Sequence, residues 1–244
     1  MMPLIIRSQR GVDDKEAGEL AIEARAIAAK YPDDAGVLTA LAEAEYDAGN
    51  DAAAIAAADK AIARDPARTN AYVQKGYALF RQAREADDRK AAYAAAMRPF
   101  LALNARENDH PLPLFYLYRS QVESGQEPDE NARAALERAS VLAPFDQGLQ
   151  ISAGMMLITE GKHSIARDFL GPVAADPHGG GAAGRAKQLM ALIASAAEGE
   201  AIGMAALRQV NENVVEAADD TGGNRKGEDA DADADADAGD GEAS

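Results

Sequence analysis

The sequence predicts an all-α solenoid of antiparallel helix pairs. Three observations carry that prediction: prolines recur at a near-constant interval, glycines fall midway between them, and apolar residues take helical spacing in the stretches between. Pro32 to Pro66 is 34 residues, Pro144 to Pro177 is 33, and the 78 residues from Pro66 to Pro144 are two 34-residue units plus 10. A fixed period in this range marks a stacked repeat. Each proline ends a helix because it lacks an N–H and turns its predecessor away from helical geometry.

Composition agrees. Alanine predominates and only 5% of residues are aromatic, which favours helix over sheet. The chain has no Cys, so disulfides and Cys-based zinc sites are excluded. Net charge is -16, and from Asp219 to Ser244 ten acids face only Arg225 and Lys226, which places half of it in the last 26 residues. An acidic body offers no electrostatic footing to nucleic acid or an anionic membrane, so neither is expected as a partner. The start "MMPLIIRSQRG" is too short an apolar run for a secretory signal, and no stretch approaches a membrane span. The cytoplasm is the default compartment.

Residues 1–14 read as an extended segment. Asp13 to Pro32 then has the phase of the second helix of a repeat, so the chain opens on a half repeat. Ala35 to Pro66 is the clearest full unit. Leu38, Leu41, Ala42 and Tyr46 recur at helical spacing, Gly49 turns the chain, and Ala54, Ile55, Ala58, Ala61 and Ile62 resume the spacing. Ala54 and Ala61 are expected to face Ala42, since antiparallel helices approach closely only where side chains are small. Ala166 is expected to face Gly154.

The second unit departs from the pattern over 83–113. Its first helix, Thr69 to Gln82, is followed by a turn stretched through "AREADD". Its second helix, Arg89 to Leu103, contains Pro99, where a kink is expected, and an irregular link through "NARENDHPLP" follows. We read this as a degenerate repeat that still stacks. Two further units end at Pro144 and Pro177. The stretch from Ala182 to Gly199 places Leu189, Leu192 and Ile193 on one face, as a capping helix would, and a short helix is expected from Ile202 to Val215. The divisions are therefore a solenoid over 15–177, capping helices over 178–216 and a disordered acidic tail over 217–244.

These residues resemble the tetratricopeptide repeat (TPR) family. Leu38, Leu41, Ala42, Gly49, Ala54, Ala61 and Pro66 stand where that family's 34-residue pattern has its signature residues; Ala58 is small where a larger residue is usual. Gly154, Gly161, Ala166, Leu170, Val173 and Pro177 do the same in the last unit. Gly125, Ala132, Leu136, Ala139 and Pro144 do so in the third, with two extra residues in the turn. The resemblance implies a right-handed superhelix whose first helices line a concave, non-enzymatic protein-binding groove. It puts Tyr46, Val73, Tyr77, Phe80, Arg81, Phe115, Arg119, Val122, Ile151, Met155 and Ile158 in that groove. It also implies that Glu43 would repel the carboxylate held by chaperone-binding members, so no such clamp is expected. The phrases "LAPFDQGLQ" and "PVAADPHGGG" resemble the TPR parts of larger bacterial multidomain proteins, which with the half-repeat start suggests a peptidase-like neighbour as an alternative. A third expectation is self-association through the unpaired first helix.

Other motifs fall short of chemistry. Gly179, Gly181 and Gly184 match G-x-G-x-x-G, but they follow a helix, not a strand. Arg185 and Ala186 replace the Lys and Ser/Thr of a phosphate loop, and "HGGG" has no G-x-S-x-G to serve. His110, His163 and His178 lie on separate turns without metal-ligand spacing, and are expected at the surface or in turns. In the tail, Asp231, Asp233, Asp235, Asp237 and Glu242 approach a calcium loop, but Ala236 stands where its glycine is needed. No catalytic residue, metal site or cofactor is expected.

Overall fold

The structure, a computed structural model, describes residues 14–203 together with 206, 207 and 210. The expected extended segment, apart from Asp14, the expected acidic tail and most of the expected 202–215 helix lie outside these residues. The described residues form ten α-helices and no strand: α1 Asp14–Lys30, α2 Ala35–Asp47, α3 Asp51–Arg64, α4 Thr69–Ala83, α5 Arg89–Asn104, α6 Pro111–Glu123, α7 Glu130–Leu142, α8 Gln147–Thr159, α9 His163–Ala175 and α10 Gly180–Ala194. They fall into two compact units that meet within α8, unit 1 ending at Ala153 and unit 2 starting at Gly154.

The local chemistry of each unit repeats. Asp34, Asp88 and Asp129 cap α2, α5 and α7 by accepting backbone N–H bonds from the first turn, at 2.8 to 3.0 Å. Gly49, Gly125 and Gly161 end α2, α6 and α8 with φ of 79°, 80° and 72°. The bonding is the same at all three. Asn50 N–H reaches Glu45 O and Gly49 N–H reaches Tyr46 O; Gln126 and Gly125, then Lys162 and Gly161, repeat the pair. This Schellman closure needs a left-handed residue, which glycine supplies without a Cβ penalty. The recurring prolines sit second in tight turns. The carbonyl before each accepts the N–H three residues on: Tyr31 from Asp34, Asp65 from Arg68, Ala143 from Asp146, Asp176 from Gly179. Asp65 and Asp176 add a side-chain bond to the N–H of Ala67 and His178.

In unit 1, α1 packs on α2, and each helix packs on the next through α5 and α6 to the α6–α7 pair; α2 also touches α4. A buried carboxylate ties α1 to α2. Glu45, 2% exposed, accepts two bonds of 2.6 Å from Arg25 and one of 2.9 Å from Asn50. Fully desolvated, that carboxylate depends on these donors. The close approaches differ in register from the expectation. Ala42 packs with Ala57 and Ala58, while Ala61 packs with Leu38 and Ala71. In unit 2, Gly154 receives Leu170: a Cβ there would lie 2.7 Å from the Leu170 side chain. Gly76 likewise receives Phe100, whose ring would lie 2.4 Å from an added Cβ. In both cases a missing side chain on a first helix makes room for a bulky one on its pair mate. In the first full repeat both are alanine, which explains why a small Ala58 is tolerated.

The irregular stretch is mostly regular. The helix over Arg89–Asn104 runs through Pro99, with Tyr93, Ala96, Met97, Phe100 and Leu103 buried. The link shrinks to 105–110, because Pro111 and Pro113 belong to the first turn of α6, where an absent N–H costs no helical bond. His110 Nδ1 accepts from Leu112 N–H at 3.3 Å at that start. His163, expected at the surface or in a turn, is fully buried at the start of α9, and neither ring nitrogen has a hydrogen-bond partner among the described residues.

In unit 2, α9 packs against α10, with Ala166, Leu170, Val173, Ala183, Ala186, Leu189 and Ile193 buried. The residues after α10 strap onto the α8–α9 turn. Gly199 N–H donates to Gly161 O at 2.8 Å, Ile202 N–H to Ile158 O at 3.3 Å, and Glu198 accepts from both the N–H and the hydroxyl of Ser164. No described helix is long and apolar enough to cross a membrane.

Candidate functional site

Unit 1 brings three tyrosines from three first helices into one row. Tyr46 of α2 lies 5.7 Å from Tyr77 of α4, ring to ring, and Tyr77 lies 5.5 Å from Tyr116 of α6. The tilted contacts are of the kind aromatic pairs favour. A guanidinium closes each end. Arg81 stands 4.0 Å from the Tyr46 ring centre and Arg119 stands 4.8 Å from that of Tyr116, with Phe115 5.5 Å away on its other contact. Such placements gain from the ring quadrupole.

Both arginines are held by carboxylates. Arg81 Nε donates to Asp51 at 2.8 and 3.0 Å, and its Nη2 donates to the Tyr46 carbonyl at 2.6 Å. Arg119 pairs with Glu123 one turn on, which also accepts from the Tyr93 hydroxyl at 2.8 Å and lies within reach of Arg84. Burial raises the Tyr77 hydroxyl's pKa, with Tyr116, Tyr46 and Asp146 adding to the rise; burial pushes Tyr116 up to about 12. Tyr77 and Tyr116 are therefore neutral phenols at physiological pH, and the charges of Arg81 and Arg119 are paired at the two ends of the row.

Burial on its own would raise the Glu123 carboxyl. The charge of Arg119, the bonds from Tyr93 and Arg119, and the charge of Arg84 outweigh it and hold the group below the usual carboxylate range. A carboxylate whose folded-state pKa is depressed contributes stability above its unfolded value, and that contribution is lost as pH falls through the folded value. Thermal melting of the wild type should therefore fall more steeply between about pH 5 and pH 3 than that of Glu123→Gln, given an unfolded Glu near 4.3. Parallel pH profiles would remove the cluster from the acid response.

Of the residues expected in the groove, Tyr46, Tyr77, Arg81, Phe115 and Arg119 meet in this row, each half-buried. Val122 is half-buried on the same helix as Arg119. Phe80 is not a lining residue: Tyr93, Phe100 and Tyr116 pack edge-on against it and it is buried. Val73 is buried with Tyr72 and Leu103. Ile151 and Ile158 are buried too, and Met155 is half-buried in unit 2. Tyr116, not anticipated in the row, is itself buried, packed on Phe80 and Phe100, and supports the row from beneath; its signal was the adjacent Phe115-Tyr116 pair. Among the described residues no group of three or more His, Asp or Glu is placed to hold a metal ion.

The helical arrangement is shared with solved structures. MamA from Desulfovibrio magneticus RS-1, residues 41 to the end, superposes with a TM-score of 0.51 at 19% sequence identity, covering 70% of this chain and 91% of that one. The MamA RS-1 ArsTM double mutant gives the same TM-score and identity, covering 70% and 90%. At that identity the likeness establishes the fold: an all-α, TPR-like helical-repeat protein. No protein-family model matches the chain, and no curated protein matches it.

Proposed function

We propose that this protein is a non-enzymatic interaction scaffold that receives a peptide or protein segment along the Tyr46–Tyr77–Tyr116 row. The observation that carries the reading is the row itself: the half-buried rings of Tyr46, Tyr77 and Phe115 on three successive first helices, underlain by the buried Tyr116 and bracketed by Arg81 and Arg119. Tyrosine and arginine dominate binding hot spots because they offer large, rigid contact area with a polar tip. Since Asp51 and Glu123 already neutralise the two arginines, the row suits a segment with apolar or aromatic anchors more than a highly charged one. The TPR-like fold supports a scaffold over a catalyst, and the row gives that scaffold a place to bind.

The test is site-directed photocrosslinking from Phe115 and Tyr46 in cells, followed by capture with Tyr46→Ala and Phe115→Ala variants whose melting temperatures match wild type. A segment crosslinked at both positions, with capture reduced about tenfold in either variant, supports the reading; loss of about 2 kcal/mol per hot-spot side chain would suffice. A crosslink to a second copy of this chain would identify self-association as the use of the row. Undiminished capture by both variants would sink the assignment.

A further inference from the structure

The tyrosines of the row differ in the charges that face them. Tyr46 and Tyr116, at its two ends, each carry a guanidinium of the chain: Arg81 stands 4.0 Å from the first ring centre and Arg119 4.8 Å from the second. Each of these cations is answered by a carboxylate, Arg81 by Asp51 and Arg119 by Glu123. Tyr77, between them, has no Lys or Arg over its ring among the described residues.

At Tyr77 the sign is reversed. After burial and the neighbouring phenols Tyr116 and Tyr46, the strongest influence raising its hydroxyl's pKa is Asp146, which outweighs the opposing Arg119. Asp146 is exposed at the start of α8. It caps that helix by accepting the Leu149 N–H at 2.9 Å, and it pairs with no Lys or Arg among the described residues. The end rings thus have cations already, and the middle ring has an acid instead.

A tyrosine face attracts a cation, and the attraction grows where water is partly excluded and a carboxylate stands near. Tyr77 meets these conditions. Its ring is half-buried, with Tyr46 beside it at 5.7 Å and Tyr116 beneath at 5.5 Å. Arg81 and Arg119 oppose a third cation only weakly, because each is bound to its own acid. The chain's net charge of -16 favours a basic partner over an acidic one. On the reading that the row is the binding surface, we infer that Tyr77 and Asp146 together take a lysine or arginine side chain of the bound segment. That segment then carries one basic residue between its apolar or aromatic anchors.

The probe is a phage-displayed library of random peptides, panned on the full chain at physiological salt, where long-range attraction to an acidic protein is screened. Enriched peptides should combine aromatic or apolar residues with a Lys or Arg. The most enriched peptide is then synthesised twice, once as selected and once with norleucine for that Lys or citrulline for that Arg. Wild type should prefer the charged form about tenfold, the scale of a partly desolvated cation–π contact beside an acid. Asp146→Asn keeps a capping side chain but removes the charge, so the preference should fall to about threefold. Tyr77→Phe should keep the preference, since it is the ring face that binds, and Tyr77→Leu should abolish it. Asp146→Asn and Tyr77→Phe carry the test even if Tyr77→Leu fails to fold. Enriched peptides with aromatic residues but no basic one would leave the row standing and overturn the cation site. So would an equal preference in wild type and Asp146→Asn, which would place the cation elsewhere. No enrichment, or peptides that bind Tyr46→Ala and Phe115→Ala as tightly as wild type, would overturn both the row and the cation site.

Discussion

Replacing Phe100 by alanine is expected to destabilise unit 1 by about 3–5 kcal/mol, the cost of emptying a fully buried aromatic site. Phe100 has no exposed surface, stacks on Tyr116 at 4.3 Å and meets Phe80 and Tyr77 at 5.7 and 6.2 Å. Its ring fills the space left by Gly76. The cavity would open directly beneath the tyrosine row, so Tyr77 and Tyr116 would lose a common support. Chemical denaturation monitored by tyrosine fluorescence should show an earlier transition for Phe100→Ala. A loss below about 1 kcal/mol would mean that the neighbours collapse into the gap or that the packing differs.

The second large effect belongs to Gly161. Gly161→Ala should cost about 2–4 kcal/mol, from two sources: about 1–2 for a left-handed L-residue and a similar amount for overpacking. The second arises because an added Cβ would lie 2.6 Å from the backbone carbon of Gly199, and backbone cannot swing aside as a side-chain tip can. Gly49 and Gly125 provide the controls. Their φ values are nearly the same, but an added Cβ there meets nothing within 4 Å. Their alanine variants should show only the conformational cost. Equal losses at all three glycines would show that the strap from Gly199 moves away freely.

Much of the helical frame could be read from spacing. Gly49, Gly125 and Gly161 announced three turns, and Pro32, Pro66, Pro144 and Pro177 announced four stops, because both residue types restrict backbone dihedrals locally, whatever lies across the gap. The same logic located α5, although the length of the following link was overestimated: a proline in a first helical turn and a proline in a loop look alike in sequence. The lining residues were harder to place. The departure over 83–113 breaks the 34-residue phase, so the register of α6 had to be taken from Gly125 in place of its predecessors; that placed Phe115 and Arg119 in the row but not Tyr116, which stands about 100° round the helix from Phe115.

Sequence by itself determined that the chain is helical, where most helices turn and end, and which stretches supply aromatic and arginine side chains. Those are properties of local backbone preference and of periodicity. Tertiary structure alone decided which aromatic residues are structural and which are presented. Phe80 and Tyr77 lie three residues apart on one helix, yet Tyr93, Phe100 and Tyr116 enclose the first while the second joins Tyr46 in the row. It alone paired Arg81 with Asp51, 30 residues away. Burial and charge pairing are set by which residues meet across neighbouring helices, and that depends on packing distances no single-helix pattern contains.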